Sequence, residues 1–319
     1  MKIVPIEKKF VFYANRAVRN FASALTPLGG VEVNDRDNLI DFSYFAHTSG
    51  YSKINVDPEN RIKKVRPTNH YGEDIPMKYK IMERKLTLPL EHKKRLASRL
   101  REHGVCDPMV YFSIGEVPRT RRKLWYVKNP VKTGGAQMSV VPYRKLKSVF
   151  KPKFIIQEAV TDLTLIDYKK FTIRAYVLAV NKKIFLFPNA VIILHGPEYD
   201  PKSTDYEVQI NHKQQKRRLL SEFSFHPQVM MQLAIEVPRV FQLFPELRMA
   251  PPTDYCLFGV DYLLTSKLEI KLIEINDLPN FMHSRKFDNH IVVPMFRSLF
   301  YTVKQMKDLN EYKFIEVSL

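Results

Sequence analysis

At 319 residues, with 45% apolar and 12% aromatic side chains, the sequence has the composition of a folded protein of two or three small lobes, not a disordered one. Two cysteines, Cys106 and Cys256, without metal-like spacing argue against a disulfide scaffold and a zinc module; with no secretory signal at the N-terminus, they fit a reducing, cytoplasmic compartment. Lysine and arginine outnumber the acids 51 to 33, a formal charge of +18, which calls for an acidic partner: nucleic acid, an anionic surface, an acidic polypeptide or a nucleotide phosphate.

The chain opens as strand then helix. Phe10 to Tyr13 is a short apolar-aromatic run, Asn15 is placed to cap, and Val18, Phe21, Ala22 and Leu25 share one helical face. Residues 35–77 are polar and rich in turn formers. Glu91 to His103 predicts a helix with Leu96 and Leu100 one turn apart, basic elsewhere and stopped by Gly104. Leu124 to Lys128 reads as a strand, followed by a loop with Thr133, Gly134 and Gly135, and Phe154 to Val160 as a second strand. Phe171 to Val180 and Lys183 to Phe187 form an antiparallel pair turning near Asn181. The longest apolar run, Phe185 to Leu194, contains Pro188 and Asn189 and is too short to span a bilayer. His195 to Asp205 is an aperiodic polar loop, and Lys213 to Arg218 a basic cluster. Val229 to Phe244 has helical spacing that Pro238 should bend or divide. A hairpin over Phe258 to Pro279 follows, and Phe296 to Met306 closes the chain as a helix.

The hairpin carries the strongest chemical signal. In its second arm strict alternation puts Leu268, Ile270, Leu272, Glu274 and Asn276 on one face; in its first arm Gly259, Asp261 and Leu263 share a face. A turn near Ser266 and Lys267 brings Asp261 to or beside Glu274. Two carboxylates that close repel unless a cation or a proton lies between them. Two carboxylates and an amide oxygen suit a hard divalent cation such as Mg²⁺, which commonly also takes substrate phosphates. Upstream, Lys128 ends a strand just before the Gly-containing loop, where a lysine can hold a phosphate as a point charge. The loop adds backbone N–H groups, the Thr133 hydroxyl and Lys132, but lacks the P-loop spacing. Lys170 and Arg174 alternate on one face of an otherwise apolar strand, and buried cations need anions.

In this order the segments resemble the ATP-grasp fold, and specifically the tubulin tyrosine ligase family. The lysine strand and Gly loop are LWYVKNPVKTGGAQMSVV, the hinge strand FIIQEAVTDLTLID, the Lys/Arg strand KFTIR, then VQINH, and last FGVDYLL and LIEINDLP. The resemblance runs from Leu124 to Pro279. It implies a mixed α/β (α+β) ATP-grasp architecture with the nucleotide between two antiparallel-sheet lobes. The expected division is an N-terminal α/β lobe over 1–75, a central lobe over 76–156 and a C-terminal lobe over 157–319. It further implies that Lys128, Lys132, Thr133 and Gly135 meet the ATP phosphates, and that Gln157, Glu158 and Val160 border the adenine with Leu263 packing on the ring. Lys170 and Asn211 also reach the nucleotide, Arg174 faces the reacting groups, and Asp261, Glu274 and Asn276 hold Mg²⁺. The implied reaction is ATP-dependent ligation of a carboxylate to an amine through an acyl phosphate, adding an amino acid to a polypeptide that the basic surface would prefer acidic. Three positions and one stretch depart from the family pattern. Thr172 replaces an Asp, Asn129 a Pro and Gln137 a Gly, and no arginine lies in Asn189 to Leu194. These departures keep open a second reading, an inactive ATP-grasp protein serving as a basic binding module for RNA or an acidic protein.

Overall fold

The apolar-aromatic run Phe10–Ala14 makes the first strand, β1, buried at all but Val11, and the apolar face of α1 (Val18–Leu25) closes over it through Phe21, Ala24 and Leu25. The computed structural model describes residues 9–45, 67–120, 123–132, 135–210, 216–279, 281, 285–306 and 313–317. Asn15 does not cap α1. The cap is Ala17 in the left-handed region (φ 47°), while Asn15 is buried and donates its N–H to the Tyr44 carbonyl. After β2 (Gly30–Glu32), β3 (Ile40–Tyr44) and β4 (Met77–Ile81), two helices follow, α2 (Arg84–Glu91) and α3 (Lys93–Glu102). The expected helix therefore starts at Lys93: His92 is extended, and its ring nitrogen accepts from the Arg95 N–H at 3.4 Å. Gly104, at φ 67°, is the stop.

A four-stranded sheet comes next, built from β5 (Val110–Tyr111), β6 (Leu124–Lys128), β7 (Met138–Pro142) and β8 (Ile155–Glu158), with the short α4 (Leu146–Val149) between the last two. Its order is β5-β8-β6-β7 and every pairing is antiparallel. The remaining elements are β9 (Phe171–Val180), β10 (Lys183–Leu194), α5 (Tyr206–Gln209), β11 (Arg217–Leu219), α6 (His226–Phe241), β12 (Asp254–Leu264), β13 (Ile270–Asp277), α7 (Arg285–His290), α8 (Val292–Val303) and β14 (Ile315–Val317). Asn181 (φ 47°) and Lys182 (φ 62°) give the two-residue hairpin that twisted strands favour. β10 runs on past Phe187 to Leu194 because an irregularity between Leu186 and Ala190 absorbs Pro188. Pro238 does not divide α6. The carbonyl deprived of its partner belongs to Ala234, on the helix's exposed side.

These strands and the N-terminal ones make a single ten-stranded sheet, β11-β10-β9-β12-β4-β3-β1-β2, with β13 also on β12 and β14 also on β10. α2, α3 and α6 bury Leu86, Leu96, Leu233 and Phe241 against one face, around Val177 and Val260. α1 and α8 bury Phe21, Phe296 and Phe300 against the other, around Leu178 and Leu257. β12 is buried along all 11 residues, as a central strand covered on both faces must be.

Candidate active site

The register of the large sheet builds the acidic half. Val191, Arg174, Asp261 and Glu274 stand opposite one another across β10, β9, β12 and β13. A bulge at Ile273 then shifts the register, so that Tyr262 opposes Leu272. That bulge corrects the strict alternation expected from the sequence. Leu272 joins the core beside Tyr262 and Leu264, with Leu268 and Ile270 packed on it, while Glu274 and Asn276 turn to the opposite face with Asp261. Arg174 grips Asp261 through two bonds, Nε to Oδ1 at 2.8 Å and a terminal guanidinium nitrogen to Oδ2 at 2.7 Å. Burial works against the Arg174 charge, and the Asp261 carboxylate more than restores it. The Asn276 amide lies 3.4 Å from Asp261 Oδ2 and 3.3 Å from Glu274 Oε1.

Sequence reasoning missed Lys93. Its ammonium lies 3.3 Å from Glu274 and donates to the Lys132 carbonyl at 2.8 Å, tying the Gly-containing loop to the cation site. The signal was present: Lys93 shares the helical stripe of Leu96, Ala97 and Leu100, an odd place for a cation. Burial alone would raise the Glu274 pKa, but Lys93, Lys128 and the Asn276 amide hold it well below the usual carboxylate range.

The small sheet, together with Lys170 just before β9 of the large one, supplies the basic half. Tyr126 and Lys128 alternate to the site face of β6, and Gln157 stands opposite Tyr126 on β8. Lys128, 4% exposed, donates to Gln157 Oε1 and stands 5.4 Å from the centre of the Tyr126 ring. Lys170, directly before β9 and also 4% exposed, donates to the Tyr126 hydroxyl at 2.8 Å and to the Gln209 carbonyl at 3.0 Å. Tyr126 in turn donates to Gln209 Oε1 at 2.9 Å. Burial lowers Lys170 to about 7. Lys128 falls to about 8 through burial, with Lys93 and Lys170 adding to the shift and Glu274 opposing it.

Gly135 (φ 75°) needs its missing side chain, because a Cβ would come within 2.8 Å of Ile210 and 2.9 Å of the Tyr206 hydroxyl. The Lys132 side chain is exposed, and its carbonyl is the group held by Lys93. The Glu158 side chain faces away, beside Trp125, and pairs with Lys123, while its N–H donates to the Met109 carbonyl at 2.9 Å. Val160 is half-buried just after β8, and Leu263 is buried on the Asp261 side of β12. Thr133 and Asn211 lie outside the described residues. Thr172, where the family pattern has Asp, lies 3.4 Å from the His195 ring. Arg217 on β11 shares a row with Ile193 and Thr172, which puts a half-buried arginine on the Arg174 face although none occurs in Asn189 to Leu194.

The donor chemistry fits Mg²⁺ and ATP. Asp261, Glu274 and Asn276 lie within reach of one another, and a half-turn of the Asn276 amide presents its oxygen to a cation. Among the described residues no three His, Cys, Asp or Glu come together as a metal-holding group, so a cation held by Asp261 and Glu274 would take its third side-chain donor from the Asn276 amide. Lys128 and Lys170 are buried cations whose nearest hydrogen-bond acceptors are neutral oxygens, an arrangement that an anion such as a triphosphate completes.

Comparison with known proteins agrees with this layout. The model of the tubulin-tyrosine ligase family matches residues 51–217 and 239–311, most of the chain. A Schizosaccharomyces pombe protein described as a probable tubulin–tyrosine ligase is 24% identical over 164 residues, 46% of this chain. The match spans only 41% of that relative's length. The C-terminal domain of K. lactis Pby1, described as an ATP-grasp enzyme interacting with the mRNA decapping enzyme Dcp2, matches with a TM-score of 0.61 at 14% identity. That likeness covers 98% of this chain and 99% of the Pby1 domain, and it shows a shared fold. No helix among the described residues is long and apolar enough to cross a membrane. The chain belongs to the tubulin-tyrosine ligase family and has an ATP-grasp-like, mixed α/β fold.

Proposed function

We propose that the chain is a Mg·ATP-dependent ligase that joins a carboxylate to an amine, most simply an amino acid to a polypeptide. The observation that carries this reading is the meeting of buried Lys128 from the small sheet with Lys170, which directly precedes β9, and with Asp261, Glu274 and Asn276 from the large sheet. Lys128 and Lys170 neutralise phosphate charge, and Gln157 fixes the Lys128 ammonium. Mg²⁺, held by Asp261, Glu274 and Asn276, would screen the β- and γ-phosphates and draw charge from the transferring phosphoryl group. Lys93 positions Glu274 and the loop together. Arg174, fixed by Asp261, faces the reacting groups, and Arg217 supplies a second cation on that face for a substrate carboxylate. In the reaction a carboxylate oxygen attacks the γ-phosphorus as the bond to ADP breaks. The amine then attacks the acyl carbon, phosphate leaves with the electrons of the C–O bond, and the amine's proton passes to water. The protein's contribution is charge neutralisation and alignment.

Calorimetry of ATP binding with and without Mg²⁺ tests the reading, beside Glu274→Gln and Lys128→Ala. Metal-dependent binding should vanish in the first variant and weaken with or without metal in the second. Parent-like, metal-dependent binding by Glu274→Gln would refute the metal assignment.

A further inference from the structure

The small sheet has a second face. Trp125 and Val127 point away from Lys128 and Lys170 into a separate core with Val117, Val141 and Ile156, closed by Leu146 and Val149 of α4 and by Phe150 just after it. Between Glu116 and Glu158 the chain contains no Asp or Glu over 41 residues, yet it carries eleven Lys or Arg. A folded surface ordinarily mixes the two signs, so this imbalance needs an account. Lys128 belongs to the site, and Lys123 is matched by Glu158. Five of the others, Arg144, Lys145, Lys147, Lys151 and Lys153, lie on α4 and the turns flanking it. All five are exposed, and among the described residues none forms an ion pair. Half-buried rings stand among them: Tyr143, Phe150 and Phe154, with the Lys151 ammonium 5.7 Å from the centre of the Phe154 ring.

We propose that this outer face of the small sheet binds single-stranded nucleic acid. Five unmatched cations on one short stretch suit successive phosphates, and the half-buried rings between them, packed against the small core, keep exposed surface on which bases can stack. An acidic peptide would use the charges but has no bases for the rings to stack on. A peptide substrate, moreover, must reach Arg174, on the other side of the sheet from α4. The nucleic-acid surface is thus separate from the ATP-side residues, and its test does not depend on ligation.

The experiment is fluorescence anisotropy of the whole chain with a labelled single-stranded RNA of about 20 nucleotides over a salt series. Five phosphate contacts give a slope of log affinity against log salt of about −3.5. Lys145→Glu/Lys147→Glu/Lys151→Glu should weaken binding at least about tenfold and flatten that slope, with the melting temperature and ATP binding unchanged. Tyr143→Ala should weaken binding severalfold with the slope unchanged, because stacking does not release counterions. Parent-like RNA affinity in the charge-reversal variant would overturn the proposal. So would displacement of RNA by polyglutamate at equal charge, which would identify an acidic-polypeptide surface. Equal affinity for duplex and single strand, with no effect of Tyr143→Ala, would overturn the single-strand assignment.

Discussion

Lys93→Met separates the loop from the cation site while keeping most of the buried stem. In the parent the ammonium is 3.3 Å from Glu274, and the two side chains are 7% and 19% exposed. At an effective dielectric of about 20, charges at that separation attract by about 5 kcal/mol before desolvation is subtracted. Removing one partner of a buried pair costs about 3–5 kcal/mol. Lys128 remains to compensate Glu274, so the lower end applies: urea unfolding should show a loss of about 3 kcal/mol. Glu274→Gln leaves Lys93 and Lys128 facing each other and should lose a similar amount. The double variant should fall short of the sum by about 2 kcal/mol. The pH dependence has a definite sign. The Glu274 carboxyl titrates below its ordinary value of 4.5, so its contribution holds above that pH and is lost as the solution is acidified towards the folded value. The gap between parent and Lys93→Met should shrink over that same acid range. Additive single-variant losses, or a gap indifferent to acid, would refute the coupling of Lys93 to Glu274.

Three other outcomes are expected. Lys170 near 7 and Lys128 near 8 are partly neutral in mildly alkaline solution, so binding of a polyanion should draw in roughly one proton at about pH 8. Calorimetry in buffers of different ionisation enthalpy reads that uptake; zero uptake, or uptake unchanged in Lys170→Met, would contradict the assignment. Burial, with the neighbouring Asp277 carboxylate adding to it, raises Glu91 to about 7, against Arg84 at 2.9 Å. A raised carboxyl contributes most below its unfolded value and loses that contribution as pH rises through about 7. Glu91→Gln should therefore gain on the order of 2 kcal/mol over the parent in alkaline solution, and parallel melting curves across pH would count against it. Gly259→Ala puts a Cβ 2.8 Å from the Pro279 Cβ and 3.4 Å from the Arg174 Cδ. It should cost about 1–3 kcal/mol and disturb the Arg174–Asp261 pair, whereas a parent-like melting temperature would mean that Pro279 gives way freely.

Much of the site half was legible because strand register is a two-residue code. Asp261 beside Glu274 follows once the two arms are read as strands, whereas the meetings of Lys128 with Gln157 and of Arg174 with Asp261 depend on which distant strands pair. The bulge at Ile273 was not legible, since nothing in LEIKLIEIND marks where alternation slips. Lys93 escaped because the helix is basic over most of its surface, which hides the one lysine that lies in the apolar stripe. Gln209 escaped for a different reason: its contacts to Lys170 and Tyr126 join elements distant in sequence, with no periodic signal. Asn15 was misread because a capping residue type says where a cap can form, not whether its backbone is already taken by Tyr44.

The parallel pairing of β4 with Asp254 and Tyr255 has a consequence for any attempt to shorten the chain. β4 and β13 lie end to end along one edge of β12, the strand that carries Asp261. The N-terminal strands therefore act as a cover for the start of that strand. A fragment begun after residue 82 would bare the main-chain donors and acceptors of Asp254 and Tyr255, and with them the aromatic surface that Phe42 packs on Tyr255. An uncovered strand end, buried along its whole length in the intact chain, is a template for pairing with another molecule. Trimming the chain to the part after β4 would thus favour self-association.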